Sequence, residues 1–124
     1  EGSLTLVLPA KKTLDSRLGV DKIAIRVVAH PVAKALLRAT GPLTATSANI
    51  SGTEPESNCP DAVETLQKAG HKVGLVKGNT PGGSPSTLIA WYSVCDASDN
   101  ASIEVLREGI IATEEVMLWW KSQI

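Results

Sequence analysis

The chain has 124 residues, which is the size of one compact domain and too short for two independent cores. Hydrophobic residues make up 43% of it and charged residues 20%, a composition that excludes an intrinsically disordered chain. With 12 basic and 13 acidic residues the net charge is -1, which excludes a global positive field that gathers nucleic acid or anionic lipid.

Strand and helix patterns alternate along the chain. Apolar runs predict strands, and helical spacing that starts at Pro, Asn or Thr and ends at Gly predicts helices. In chain order the predicted elements are strands over residues 3–9 and 22–28, a helix over 30–41, a strand over 42–51, a helix over 58–70, strands over 71–78, 87–94 and 103–111, and a helix over 113–121. Asn58 and Thr113 are the predicted N-caps of the last two helices. The alternation predicts the α/β class, with one mixed twisted sheet and helices packed on it.

The stretch P-L-T-A-T-S-A-N-I-S-G, residues 42–52, gathers four hydroxyl side chains and one carboxamide without any charge. On an extended strand Ser47 and Asn49 share a face with Ala45, so both polar groups reach one ligand beside a small neighbour. Gly52 lets the chain turn with its N–H groups exposed. These features indicate a phosphate or carboxylate pocket. The alternative is a hydroxyl-rich edge strand followed by a turn.

A second Gly-rich loop, residues 78–89, offers backbone donors and the Ser86 hydroxyl to an anion. It lacks the Lys and Ser/Thr of a P-loop, so a Walker-type ATPase is not indicated. Arg26 and Arg107 each stand in a predicted strand, and Arg26 lies on the face opposite the isoleucines. Guanidinium groups bind carboxylate or phosphate in bidentate geometry, which makes both arginines candidate anion ligands. The alternative for the loop and for each arginine is an ordinary exposed surface position.

Covalent and metal-dependent catalysis are not indicated. No G-x-S-x-G motif is present, and His30 and His71 stand at predicted helix boundaries, where a capping or surface role is typical. Cys59 and Cys95 lie far apart outside any C-x-x-C pattern. We therefore predict neither a catalytic side chain nor a metal site. No apolar run approaches the roughly 18–20 residues of a membrane span, so we expect a cytoplasmic chain without a membrane partner.

Four motifs stand in a fixed order along most of the chain, from Gly2 to Gly109. They are I-R-V-V-A-H-P-V-A-K-A-L-L over residues 25–37, L-T-A-T-S-A-N-I-S-G over 43–52, G-S-P-S-T-L-I over 83–89 and V-L-R-E-G over 105–109. On these motifs the chain resembles the YrdC/Sua5 family, the threonylcarbamoyl-AMP synthases. The resemblance implies a YrdC/RibB-like fold, in which helices pack on a twisted mixed sheet with a positively lined cavity.

The resemblance also implies an activity and a set of binding residues. Such a protein condenses L-threonine, bicarbonate and ATP, with Mg²⁺ present, into threonylcarbamoyl-AMP and releases pyrophosphate. The product serves the modification of certain tRNAs beside the anticodon. The implied ATP and phosphate ligands are Ser47, Asn49 and Arg107, and the implied L-threonine ligands are Arg26, Ala45 and Ser86.

The chain departs from the family at its start, because residues 1–18 contain no counterpart of the family's Lys-x-Arg motif. Met117 is the single Met, so we expect residues 1–124 to be a partial, N-terminally truncated YrdC-like domain, weak or inactive by itself. Missing strands would expose a sheet edge or face, to be covered by Trp119 and Trp120 or by a homodimer. The alternative is that these tryptophans pack on their own sheet.

Two other functions stay open. Some members of the family bind double-stranded RNA, so a non-catalytic RNA or tRNA-binding module is the main alternative, although the net charge of -1 does not favour it. The third is the carbamoyl transfer of YrdC-like domains in hydrogenase maturation. That hypothesis ranks last because the zinc-finger and acylphosphatase-like segments of those proteins are absent from the sequence.

Overall fold

The computed structural model describes residues 2–79, 83–91 and 102–123. The regular elements within these ranges are β1 (Leu4–Pro9), a 3₁₀ turn (Ser16–Leu18), β2 (Lys22–Arg26), α1 (Pro31–Thr40), α2 (Cys59–Lys68), β3 (Thr87–Trp91), β4 (Ile103–Arg107) and α3 (Thr113–Lys121). Strands and helices in one chain with a mixed sheet confirm the predicted α/β class. The end of the strand predicted over 87–94 and the position of Cys95 lie outside the described residues.

The four strands form one sheet in the order β2-β1-β3-β4. The outer pairs, β1 with β2 and β3 with β4, are antiparallel, whereas the central pair, β1 with β3, is parallel. Leu6 pairs with Ile25 on one side and with Ile89 on the other, so the alternating aliphatic residues line up across the strands. One sheet face is therefore apolar, as the alternation of the isoleucines in β2 predicts.

The apolar face packs against α3. Val116 and Trp120 of this helix and Ile89 of β3 are buried, and the Trp120 ring meets the Trp91 ring edge-on with centroids 5.7 Å apart. A cavity of about 250 Å³ remains between the helix and the sheet. Trp120 thus packs on its own sheet, as in the second interpretation of the tryptophan pair, while Trp119 is 58% exposed. The homodimer stays a prediction.

The ends of α2 follow the capping rules. The Asn58 side chain accepts a hydrogen bond of 2.9 Å from the Asp61 backbone N–H, which confirms Asn58 as the N-cap. At the other end Gly70 has φ +87°, and its N–H donates to the Gln67 carbonyl while the next N–H reaches Leu66. This pattern is a Schellman motif, and it explains why the helix stops just before a glycine.

The predicted cap of α3 is wrong. Ala112, not Thr113, is the N-cap residue, and it has no side chain that bonds the first turn. The Glu108 carboxylate replaces it by accepting a 2.9 Å hydrogen bond from the Thr113 backbone N–H. Hydrogen bonds from the Thr113 side chain and backbone hold the pKa of Glu108 below its usual range. An acidic residue from outside the helix thus supplies the N-terminal acceptor.

Two predicted strands are wrong. Residues 42–51 and 71–78 are all described, and none of them belongs to a strand. Positions 42–48 are exposed, so their side chains bury little surface. Because β-propensity expresses how well a side chain fits a half-buried pleated surface, Thr and Ile alone do not produce a strand where no neighbouring strand is paired.

The contacts divide the chain into two compact units. The first joins Glu1–His30 to Ser84–Ile124 and contains the sheet and α3. The second is Pro31–Gly83, with α1, α2 and the segments between and after them. Among the described helices, none combines the length and apolar character needed to cross a membrane.

Candidate functional site

A row of four paired residues crosses the sheet on the face opposite α3. Arg26 of β2 pairs with Thr5 of β1, Thr5 pairs with Leu88 of β3, and Leu88 pairs with Arg107 of β4. Paired residues share a sheet face, so both arginines lie on this side, called the polar face below. Neighbouring strands are about 4.8 Å apart, so the row from β2 to β4 spans about 14 Å. The two arginines thus stand on the outer strands of one sheet face, where both guanidinium groups are candidate anion ligands.

A shift of register places Arg107 on the polar face. Leu88 pairs with Arg107 but Ile89 pairs with Val105, so Leu106 is an extra residue in β4. Side chains alternate along a strand, and without the extra residue Arg107 would share the apolar face with Val105. A bulge that redirects one side chain in this way is a frequent feature beside functional sites.

Ser86 connects the two central strands on the polar face. Its hydroxyl oxygen lies 2.8 Å from the Thr5 hydroxyl oxygen, and its backbone carbonyl accepts a 2.9 Å hydrogen bond from Arg107 Nη2. Ser86 is only 4% exposed. The structure therefore brings together Ser86 and Arg107, which the sequence places 21 residues apart, and it holds Arg107 through one nitrogen while leaving the rest of its guanidinium for other acceptors.

Hydrogen bonds made by the Thr87 hydroxyl hold the loop that carries Ser86 in place. This residue is fully buried, and its hydroxyl donates to the Ile111 carbonyl at 2.6 Å while accepting from the N–H groups of Gly109 and Ile111 at 3.0 Å each. Gly109 also passes directly against the backbone of residues 85–87. The S-P-S-T and R-E-G motifs are thus one rigid junction between β3 and β4.

Charges on the polar face are predominantly positive. Register puts Lys22, Arg26 and Arg107 on this face together with one carboxylate, Glu104. The Arg26 side chain is exposed and makes no hydrogen bond or ion pair with any residue in the described ranges. A local excess of cations attracts anions even though the whole chain has a net charge of -1.

The remaining predicted residues belong to the second unit. Ala45 and Ser47 lie in an exposed irregular segment between α1 and α2. Ser47 therefore does not share a strand face with Asn49 and Ala45 as predicted, because the segment is not a strand. Their binding roles stay predictions, independent of that argument.

Asn49 organises the turn that follows it. Its amide nitrogen donates to the Ile50 carbonyl at 3.1 Å and to the Thr53 carbonyl at 2.6 Å, and Gly52 within the turn has φ +85°. The amide oxygen is buried and accepts no hydrogen bond from the described residues. In this orientation the side chain has no free donor for a phosphate, so any phosphate contact by the side chain requires the amide to rotate.

Two further features of the described chain bear on ligands. An open depression of about 500 Å³ follows α2, and it is lined by Gln67 and residues 70–74, none of which is a predicted site residue. Among residues 2–79, 83–91 and 102–123 no three His, Cys, Asp or Glu side chains are grouped to hold a metal ion.

Thr5 is the residue of this surface that the sequence argument missed. It stands between Leu4 and Leu6, so it has the opposite parity to the leucines that face the core. The alternation in β1 puts Thr5 on the face opposite the leucines, and the alternation in β2 puts Arg26 on the face opposite the isoleucines. Together these two patterns identify Thr5 as a residue of the polar face.

Comparisons with known proteins agree with the motifs. A family model for Sua5, YciO and YrdC proteins, described as "Telomere recombination", matches residues 1–109. The chain is similar to threonylcarbamoyl-AMP synthase of Idiomarina loihiensis (41% identity over 93 residues, 71% of this chain and 48% of that protein) and of Bacillus subtilis (35% over 120 residues, 93% and 32%). The Vibrio parahaemolyticus protein of that name is 33% identical over 112 residues, 87% of this chain and 55% of its own. The chain thus spans about half or less of these curated relatives, and no solved structure matches it.

Proposed function

Since the chain belongs to the Sua5, YciO and YrdC family, we propose that it binds ATP and L-threonine for the synthesis of threonylcarbamoyl-AMP. The observation that supports this proposal most is the row across the polar face, with an arginine at each end and the Ser86 hydroxyl beside it. Carboxylate and phosphate are the groups that guanidinium and hydroxyl donors bind best. L-Threonine supplies the first and ATP the second.

The proposed chemistry depends on position and charge rather than on a covalent intermediate with the protein. The threonine amine adds to bicarbonate or CO₂ to give a carbamate with loss of water or a proton. A carbamate oxygen then attacks the α-phosphorus of ATP, and pyrophosphate leaves with the bond electrons. Holding the reactants in line and neutralising the growing charge are the contributions required of the protein. Mg²⁺ enters with the ATP phosphates as part of the substrate.

Each side chain has a proposed part in this reaction. Arg26, Ala45 and Ser86 bind L-threonine, with Arg26 neutralising its carboxylate and Ser86 donating to it. Arg107, Ser47 and Asn49 act at the phosphates of ATP. Support for pairing Arg107 with a phosphate comes from its anchored guanidinium, because a side chain already fixed at one nitrogen loses less freedom when it binds.

We further propose that these 124 residues bind the ligands but catalyse the reaction only slowly. The resemblance assigns part of the charge neutralisation to a Lys-x-Arg motif, and these 124 residues contain no counterpart of it. Ground-state contacts by the arginines remain, whereas stabilisation of the transition state is incomplete.

Calorimetric titration with Mg-ATP, followed by a pyrophosphate-release assay, tests the proposal. Wild-type chain is expected to give saturable heat with Mg-ATP and slow pyrophosphate release that requires L-threonine and bicarbonate. Ser47→Ala should weaken Mg-ATP binding, whereas Ser51→Ala, an exposed serine of the same segment, should leave it unchanged. Absence of nucleotide binding by the wild type would refute the proposed function, and turnover as fast as a typical enzyme would refute the weak-turnover proposal.

The double-stranded RNA and tRNA alternative stays a prediction from the family resemblance. Its test is retention on double-stranded RNA at increasing salt, where specific electrostatic binding falls steeply as salt rises. A cytoplasmic location is likewise proposed, because the product of the proposed reaction is used on tRNA.

A further inference from the structure

Thr5 lies between two residues that are proposed to hold the carboxylate of L-threonine. It faces Arg26 directly in the antiparallel β1–β2 pair, where opposite Cβ atoms are about 4.5–5.5 Å apart. On its other side the Thr5 hydroxyl oxygen is 2.8 Å from that of Ser86. Thr5 therefore contacts one of these two residues and adjoins the other.

The hydrogen bond between the two hydroxyls has a direction that matters for a ligand. A serine hydroxyl has one hydrogen and two acceptor lone pairs. Ser86 donates to a carboxylate only if its hydrogen points at the ligand, and in that state its bond to Thr5 must be donated by Thr5. Accepting that bond also polarises the Ser86 hydroxyl and makes it a stronger donor.

Thr5 is suited to hold this direction. As a β-branched residue in a strand with neighbours on both sides, it has few accessible rotamers, so its hydroxyl has a fixed place on the sheet. Ser86 is 4% exposed, which leaves its hydroxyl few other partners.

We propose that Thr5 is a positioning residue for the L-threonine carboxylate: its hydroxyl donates to Ser86 and thereby turns the Ser86 hydrogen toward the ligand. The inference rests on the proposed function and adds to it a residue from β1, outside the four motifs that the chain shares with its family. The order of donation is Thr5 to Ser86 to carboxylate, with Arg26 supplying the compensating charge.

The test compares Thr5→Val, which keeps the shape but removes the hydroxyl, with Thr5→Ser, which keeps the hydroxyl. Calorimetry of the full chain with L-threonine in the presence of Mg-ATP should give a Kd about three- to tenfold higher in Thr5→Val, the size expected for one lost hydrogen bond. Thr5→Ser should stay within about twofold of the wild type, since it keeps that bond. Thr13→Val, at an exposed threonine of the same unit, is the matched control and should bind as the wild type does.

Two readouts separate positioning from a general structural effect. L-Threoninamide lacks the carboxylate, so the preference of the protein for L-threonine over the amide should shrink in Thr5→Val. In a Ser86→Ala background the same substitution should have no further effect on L-threonine affinity, because its partner is already gone. The affinity for Mg-ATP alone should change in neither case.

Failure of the inference and failure of the proposed function are distinguishable. If the wild type binds neither Mg-ATP nor L-threonine, the proposed function is refuted and the inference with it. If the wild type binds both ligands and Thr5→Val keeps the wild-type affinity and preference for L-threonine, the inference alone is overturned. The same holds if Thr5→Val still weakens L-threonine binding in the Ser86→Ala background. Should Thr5→Val fail to fold, Thr5→Ala takes its place: loss of the preference for L-threonine over the amide supports the inference, and a retained wild-type preference contradicts it.

Discussion

Gly109 packs against the backbone of the neighbouring loop so closely that one added methyl group should disrupt the junction of β3 and β4. A Cβ atom at this position would lie 2.6 Å from the Ser86 carbonyl carbon and 2.7 Å from the Thr87 nitrogen. Both are backbone atoms, so no side chain can rotate away to make room. Gly109→Ala therefore requires the loop of residues 85–87 and the end of β4 to separate.

The cost follows from two contributions. Forcing an extra methyl group into a packed region costs about 1–3 kcal/mol. Separation also weakens the hydrogen bonds from Gly109 N–H to the Thr87 hydroxyl and from Ile110 N–H to the Pro85 carbonyl, each 3.0 Å long, for a net loss of about 1 kcal/mol apiece. The free energy of unfolding should fall by about 3–5 kcal/mol, a large part of the 5–15 kcal/mol of a typical domain.

Urea unfolding followed by tryptophan fluorescence measures this loss, because Trp91 and Trp120 belong to the same unit as the junction. With a slope of about 1–3 kcal/mol per molar urea, the midpoint should fall by at least about 1 M. Gly74→Ala is the matched control, since nothing lies within 4 Å of its added Cβ and its φ is not positive. A Gly109→Ala urea midpoint equal to that of Gly74→Ala would contradict the close packing of Gly109 against residues 85–87.

Three further substitutions test other parts of the fold. Thr87→Val leaves three partly buried backbone groups without their hydroxyl partner and should cost about 2–5 kcal/mol in thermal unfolding, whereas Thr87→Ser should recover most of that loss; equal stability of the two would contradict the hydroxyl's role. Asn58→Ala removes the N-cap of α2 and should cost about 1 kcal/mol, measured by circular dichroism against Gln67→Ala, an exposed residue of the same helix; an equal effect of both changes would exclude a capping role. Glu108 has a lowered pKa through its hydrogen bonds from Thr113, so its contribution is present above the ordinary pKa of 4.5 and is lost as the pH falls through the lower folded value. The melting temperature of Glu108→Gln should therefore fall less than that of the wild type as the pH is lowered below 4.5. Identical dependence of the two melting temperatures on pH would refute this role.

Strands β1 and β2 were predictable because each carries its own pattern, whereas the strand predicted over 103–111 ends at Arg107. Leu4 and Leu6 alternate with Thr5 in β1, and Ile23 and Ile25 alternate with polar or small residues in β2, so period and face follow from the sequence alone. The same parity places Arg26 on the polar face, as predicted.

The features that the sequence did not reveal depend on partners distant along the chain. The register shift at Leu106 decides which face Arg107 takes, and it exists only relative to β3. The acceptor at the start of α3 comes from Glu108, outside the usual capping position. Residues 42–51 have strand propensity but no paired neighbour, and propensity alone does not supply one.

The most direct test of the account is a crossed binding experiment on the two arginines of the polar face. Arg107→Gln should weaken Mg-ATP binding by about tenfold or more, the size of a lost charged hydrogen bond, while leaving L-threonine binding close to wild type. Arg26→Gln should show the reverse pattern, and Arg38→Gln, at an exposed arginine of α1, should change neither affinity. Wild-type affinity of both polar-face variants for both ligands, or no saturable binding by the wild type, would contradict the claim that this face is the ligand site.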